Sequence, residues 1–176
     1  METLSIPGPA AERADAIAWA VRSFLLVLHV LGAVVALGFS LSYGLWVRRG
    51  EADGPQGRAF ALRTISWIDR HVTTPAFISQ LVTGLLLVAV IDWDLLRLAW
   101  LELSLGIYVV LTVLAITVYG PSFRRQRELA EAIAGGSAPE TDYAGVASKA
   151  TAWGIVVTVF TLVIVVLMVW KPALWN

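Results

Sequence analysis

Hydrophobic positions fall into four long runs along the chain. Ser23–Val47, Val72–Ile91 and Ala150–Trp170 hold 25, 20 and 21 residues without Asp, Glu, Lys or Arg, and Leu98–Gly120 holds 23 with one such residue, Glu102. A helix needs about 20 apolar residues, at 1.5 Å per residue, to cross the hydrocarbon core of a bilayer. The runs therefore predict membrane-spanning helices over about 23–47, 72–91, 98–120 and 150–170.

The spans predict an all-α fold. Lipid offers no hydrogen bonds, so a spanning backbone must satisfy its polar groups internally, and the alternating ten-residue stretches of a barrel are absent from the sequence. The 176 residues are 58% hydrophobic and 15% charged, whereas about a quarter of the residues in soluble domains are charged. Since the runs take up half of the chain, we expect residues 1–176 to form a single domain, a four-transmembrane-helix bundle.

Basic residues predict how the bundle is oriented, because Lys and Arg accumulate in cytoplasmic connections. The first and third connections hold nine of them: Arg48, Arg49, Arg58, Arg63, Arg70, Arg124, Arg125, Arg127 and Lys149. The two termini and the second connection hold four: Arg13, Arg22, Arg97 and Lys171. We therefore expect both termini on the non-cytoplasmic side of a bacterial-type plasma (inner) membrane that the chain crosses as a multi-pass protein.

Two connections are predicted to extend the helices into the cytoplasm. After a turn at Gly50–Gly57, the apolar residues of 58–71 share one helical face, made up of Ala61, Leu62, Ile65 and Ile68. Thr74-Pro75 fits either the start of a new helix or a kink in one longer helix. The third span is expected to continue until Gly135-Gly136 ends it.

Small residues mark the inward face of the first span. Gly32, Ala36, Ser40 and Gly44 repeat every fourth residue, a spacing that lets transmembrane helices approach closely. His29 shares this face. In the second span, one face carries Ala76, Gln80, Thr83 and Gly84. These faces predict helix packing.

His29 is the main candidate for chemistry, because an ionisable group deep in a span is costly and points to function. It is expected to act as a ligand or proton-handling group, or to form a structural hydrogen bond with Gln80 or Thr161. A pair with Glu102 is a further alternative, and Arg22, two turns away, is either an interfacial anchor or the contact of an anionic group. Ser104 and Tyr108 are the other polar residues expected inside the bundle.

Several chemistries are disfavoured by the sequence. The net charge is zero, so nothing indicates nucleic acid as a partner. The chain has no cysteine and one methionine besides the first residue, which leaves few soft ligands for copper(I). No Walker loop, HExxH or GxSxG motif occurs. We expect no metal-ion site made of protein ligands alone.

Four stretches resemble a known family: FLLVLHVLGAVVALG, RTISWIDRHVTTPAFISQLVTGLLL, WLELSLGIYVV and FRRQRELAEA. They are similar to an uncharacterised family of predicted integral membrane proteins, distantly similar in turn to copper-resistance D proteins and the membrane protoporphyrinogen oxidase. In the oxidase relatives a first-helix histidine is implicated in haem b binding, and His29 matches it. Where those relatives read Trp-Leu-His-x-Lys, this chain has Glu102 and Ser104 at the His and Lys positions, which argues against oxidase activity.

Three functions remain open from the sequence. The first is a non-catalytic bundle that serves as a subunit or assembly factor. The second is a haem b-binding redox protein that uses His29, where a bis-histidine haem would need a second copy of the chain. The third is a carrier of a small solute or of protons that works as an oligomer. The expected partners are the lipid bilayer and a homodimer or larger membrane complex.

Overall fold

The protein is built of long helices, as a computed structural model that describes residues 8–91 and 98–172 shows. Six α-helices follow in order: α1 Pro9–Ala52, α2 Gly54–Ile68, α3 Thr74–Ile91, α4 Ala99–Leu114, α5 Gly120–Ala134 and α6 Tyr143–Trp170. Short π-helical turns join α2 to α3 and α4 to α5, so the chain forms four long apolar helices that could each cross a membrane. The predicted all-α bundle of four spans is confirmed. Its orientation stays a prediction, and Arg97, which entered the charge comparison, lies outside the described residues.

A π turn at Asp69–Thr73 connects α2 and α3 without a break. The N–H of Thr74 donates to the carbonyl of Asp69, five residues back, and Pro75 follows at once. Proline has no N–H to donate, and a wider turn is a known way for a helix to pass such a position. Of the two predictions for Thr74-Pro75, the one that fits the structure is that of a single longer helix, which runs over Gly54–Ile91.

A second π turn at Ala115–Tyr119 joins α4 and α5 in the same way. The N–H of Gly120 donates to the carbonyl of Ala115, and Pro121 follows. A Cβ at Gly120 would lie 2.9 Å from that carbonyl oxygen, so the wide turn needs glycine there. The predicted continuation of the third span is confirmed, because α5 runs to Ala134 and ends before Gly135 and Gly136.

The connection between α1 and α2 is shorter than the predicted turn at Gly50–Gly57. α1 remains helical to Ala52, and α2 begins at Gly54, which has a φ of 80°. Gly50 serves helix packing instead, since a Cβ there would lie 2.6 Å from the Cβ of Ala61. Glycine in this segment therefore allows the two helices to cross closely beside the turn.

The helices pack as two pairs. α1 packs against α2 and α3, α6 packs against α4 and α5, and α2 contacts α5 between the pairs. At the α2/α5 end of the bundle, Leu62, Ala130 and Tyr143 form a buried cluster. Of the predicted α2 face, Ala61, Leu62 and Ile65 are 3%, 0% and 1% exposed, and Ile68 is half-buried.

Candidate functional site

His29 lies on the side of α1 that faces α3, where it is half-buried. Its Nδ1 is 2.9 Å from the Oγ1 of Thr83, and the side-chain amide of Gln80 donates to the His29 backbone carbonyl at 2.7 Å. The imidazole thus pairs with Thr83 rather than with the predicted Gln80, Thr161 or Glu102. Gln80 does join the site, through the backbone.

The Thr83 hydroxyl decides which nitrogen of His29 carries the proton. Thr83 Oγ1 lies 2.6 Å from the carbonyl of Ser79, one turn back on α3, and donates to it. A threonine hydroxyl has a single hydrogen, so towards His29 it can only accept. Nδ1 is therefore the donor, and Nε2 of the neutral ring keeps its lone pair.

Glycine on both helices makes room for these contacts. A Cβ at Gly84 would lie 3.3 Å from Cε1 of His29, which is tighter than most packing contacts. A Cβ at Gly32 would overlap the amide nitrogen of Gln80 and would lie 3.2 Å from Oγ of Ser79. The His29 imidazole occupies the space that a side chain at Gly84 would take, and the Gln80 amide occupies the space of one at Gly32.

The small-residue face of α1 is closely packed over part of its length. Ala36 is 2% exposed, and the Ser40 hydroxyl donates to the Ala36 carbonyl at 2.8 Å. A Cβ at Gly44 would meet nothing within 4 Å, so the close approach does not extend to that position. Tyr43 continues the contact instead, with its hydroxyl 2.6 Å from Oγ1 of Thr73.

The other predicted polar residues lie apart from His29. Ser104 and Thr161 are buried and donate to carbonyls of their own helices, those of Trp100 and Val157. The Tyr108 hydroxyl bridges α4 to α3, where it donates to the carbonyl of Phe77 at 2.8 Å.

The two charged candidates, Glu102 and Arg22, lie at different depths in their helices. Glu102 is half-buried in the first turn of α4, and Arg22 is exposed on α1 two turns before His29. Within the described residues, no group of three or more His, Cys, Asp or Glu side chains is placed to hold a metal ion.

A second polar cluster was not predicted from the sequence. The Asp69 carboxylate interacts with the Tyr43 hydroxyl beside Thr73, and Tyr119 of the other π turn lies within electrostatic range of Asp69. In the sequence, Asp69 lies in the connection before the predicted span 72–91. The proline after each π turn was the available signal that the backbone there is irregular.

Arg58 belongs to a third polar cluster, which the count of basic residues in the connections did not predict. Its guanidinium binds both carboxylate oxygens of Glu140, at 2.6 and 2.8 Å, and stacks 3.9 Å above the ring of Tyr143. The Tyr143 hydroxyl accepts a bond from Gln126 at 2.9 Å. This cluster ties α2, α5 and the start of α6 together.

Comparison with known protein families identifies the family to which the chain belongs. The model of the family DUF2269, described as a predicted integral membrane protein, matches residues 23–172. The chain belongs to this family. No curated protein and no solved structure matches it. The DUF2269 match confirms the expected uncharacterised family of integral membrane proteins, and the more distant similarity to copper-resistance D proteins and the oxidase stays a prediction.

Proposed function

We propose that this DUF2269 protein binds haem b in the membrane, with Nε2 of His29 as an axial ligand. The hydrogen bond from Nδ1 to Thr83 carries this proposal. Histidines that bind metals donate their other ring N–H to an oxygen of the protein, which fixes the tautomer and orients the ring. The Thr83 hydroxyl, held by the Ser79 carbonyl, supplies that oxygen to His29.

The surroundings of His29 fit a haem in further respects. Among the described residues no group bonds to Nε2, and the helices that carry His29 and Thr83 are long and apolar. Arg22 lies seven residues before His29, about 10 Å along the helix, where a guanidinium can reach a propionate. Haem b supplies one-electron oxidation and reduction when it is bound.

A second axial histidine has to come from another copy of the chain. His71 is the only other histidine, and it lies 12 residues from Thr83 along one continuous helix, about 18 Å at 1.5 Å per residue. A bis-histidine haem therefore joins His29 of two copies, in a homodimer. Each copy would contribute His29 for the iron and Arg22 for a propionate.

The visible spectrum of the purified protein tests this function. The protein is expressed with adequate haem supply and solubilised in detergent, beside His29→Ala and the control Tyr108→Phe, which removes a hydroxyl from a different helix pair. We expect a Soret band in the wild type and in Tyr108→Phe, and none in His29→Ala. A haem-replete wild type without a Soret band would exclude the proposal.

A non-catalytic subunit or assembly factor is the second candidate. It is favoured by the polar side chains of the bundle that are satisfied within the protein: Gln80, Ser104, Tyr108 and Thr161 each bond to a backbone carbonyl. In that case the contact between His29 and Thr83 serves helix packing alone. Co-purification of a stable complex by the wild type and by His29→Ala alike, without haem in either, would support it.

A further inference from the structure

A polar cluster lies at the first π turn, where that turn packs against α1. Oγ1 of Thr73 is 2.6 Å from the hydroxyl of Tyr43, which also interacts with the carboxylate of Asp69. Tyr119 extends the cluster from the second π turn. Gly154 of α6 admits the Tyr119 ring, since a Cβ there would lie 3.4 Å from the ring carbon Cε2. All four long helices therefore take part in this cluster or contact it.

Asp69 is a half-buried carboxylate for which the described residues provide no cation. None of the ion pairs in the described part of the chain includes it. Its neighbours Arg70 and His71 are exposed, and the His71 ring stacks on Trp67 with its Nδ1 on the Trp67 carbonyl. The group that interacts with the Asp69 carboxylate is the Tyr43 hydroxyl of α1, which in turn contacts Thr73. Loss of water without a compensating cation favours the neutral form of a carboxyl group.

The hydroxyls next to Asp69 can serve both of its protonation states. When Asp69 is ionised, Tyr43 donates its hydrogen to the carboxylate and accepts one from Thr73. When Asp69 is protonated, the carboxyl donates to Tyr43, and Tyr43 donates to Thr73. Each hydroxyl is both a donor and an acceptor, so a proton can bind or leave while every group keeps a partner.

The backbone at the cluster is irregular for an identifiable reason. Asp69 and Thr73 are the first and last residues of one π turn, and Tyr119 is the last residue of the other. Such turns occur often at functional sites in helices. Pro75 and Pro121 follow these turns, and each lacks the backbone N–H that another residue would donate there.

We propose that Asp69, Tyr43 and Thr73 form a proton-binding site, which Tyr119 covers from the third long helix. The site lies three residues before the predicted span 72–91, at the α2/α5 end of the bundle. We expect Asp69 to exchange its proton with the aqueous phase beyond that end of the predicted span. The proposal is independent of haem binding at His29.

Infrared difference spectroscopy tests whether Asp69 holds a proton. The stretching band of a protonated carboxyl group is recorded against pH for the wild type and for Asp69→Asn, and their difference isolates Asp69. We expect this difference band to persist at a pH at which the carboxyl band of solvent-exposed groups has disappeared. The proposal is overturned if the Asp69 band disappears together with the band of the exposed groups.

Two tyrosine variants test whether the Tyr43 hydroxyl bonds to the Asp69 carboxyl group. Tyr43→Phe removes the hydroxyl next to Asp69, so the Asp69 band should shift in frequency as its hydrogen bond is lost. The matched control Tyr108→Phe removes a hydroxyl that bonds to the Phe77 carbonyl, and it should leave the band in place. If Asp69→Asn does not fold, the wild-type spectrum minus that of Tyr43→Phe is recorded instead, and a difference without any carboxyl band would contradict the proposed chain.

Discussion

The tautomer of His29 depends on one threonine. The Ser79 carbonyl takes the Thr83 hydrogen, which leaves Thr83 to accept from Nδ1 of His29. The sequence identified His29, because it is an ionisable residue within a charge-free span, and it placed Thr83 on an inward face. The pairing could not be predicted, since a helical wheel gives the direction of a side chain and not the axial offset between two antiparallel helices.

Gly32 is a sensitive position in the His29 site. A Cβ there would overlap the Gln80 amide, so Gly32→Ala should displace Gln80 and lower the free energy of unfolding by about 1–3 kcal/mol. Gly38→Ala is the matched control on the same helix, because a Cβ at Gly38 meets nothing within 4 Å. Thermal unfolding in detergent measures both. Equal effects of the two variants would refute close packing at Gly32.

The two π turns are the main irregular features among the helices. The Thr74-Pro75 pair predicts an interruption of regular α-helix, and it fits both a new helix and a kink. A proline signals the missing N–H donor without specifying how the preceding turn adapts. At Gly50–Gly57, glycines and a proline suggested a longer turn than the chain forms, because Gly50 is required for close contact with Ala61 rather than for chain reversal.

Substitution of Gly120 tests whether the second π turn requires glycine at that position. Gly120→Ala would bring a Cβ to 2.9 Å from the Ala115 carbonyl, so the turn must distort. We expect a loss of about 1–3 kcal/mol in the free energy of unfolding. Gly106→Ala, on α4 of the same long helix, has no atom within 4 Å of the added Cβ and should have little effect. Similar unfolding temperatures for Gly120→Ala and the wild type would contradict this account of the turn.

At the α2/α5 end of the bundle, Arg58 of α2 binds Glu140 and stacks on Tyr143 at the start of α6. The Arg58 side chain is 8% exposed and its partner Glu140 is 58% exposed, so Glu140→Gln would leave a buried guanidinium without its counter-charge. We expect a lower unfolding temperature for Glu140→Gln. Glu128→Gln is the control, since Glu128 pairs with Arg124 at 3.8 Å on an exposed surface, where ion pairs contribute little. An unchanged unfolding temperature in Glu140→Gln would rule out a stabilising role for the pair.

The orientation predicted from basic residues can be measured directly, because the chain has no cysteine. Ala10→Cys and Ser137→Cys introduce single exposed thiols, before the first span and between α5 and α6. A membrane-impermeant thiol reagent should label Ala10→Cys in intact cells, and Ser137→Cys only after the membrane is opened. The reverse pattern would show that the termini are cytoplasmic.

Haem ligation by His29 of two copies is the central claim, and electron paramagnetic resonance of the oxidised wild-type protein tests it most directly. Two imidazole ligands produce a low-spin ferric signal, and a haem shared by two chains requires a haem-to-chain ratio of one to two in the same sample. We predict a low-spin signal at that ratio. A high-spin signal alone, or no haem signal in protein from haem-replete cells, would contradict the account.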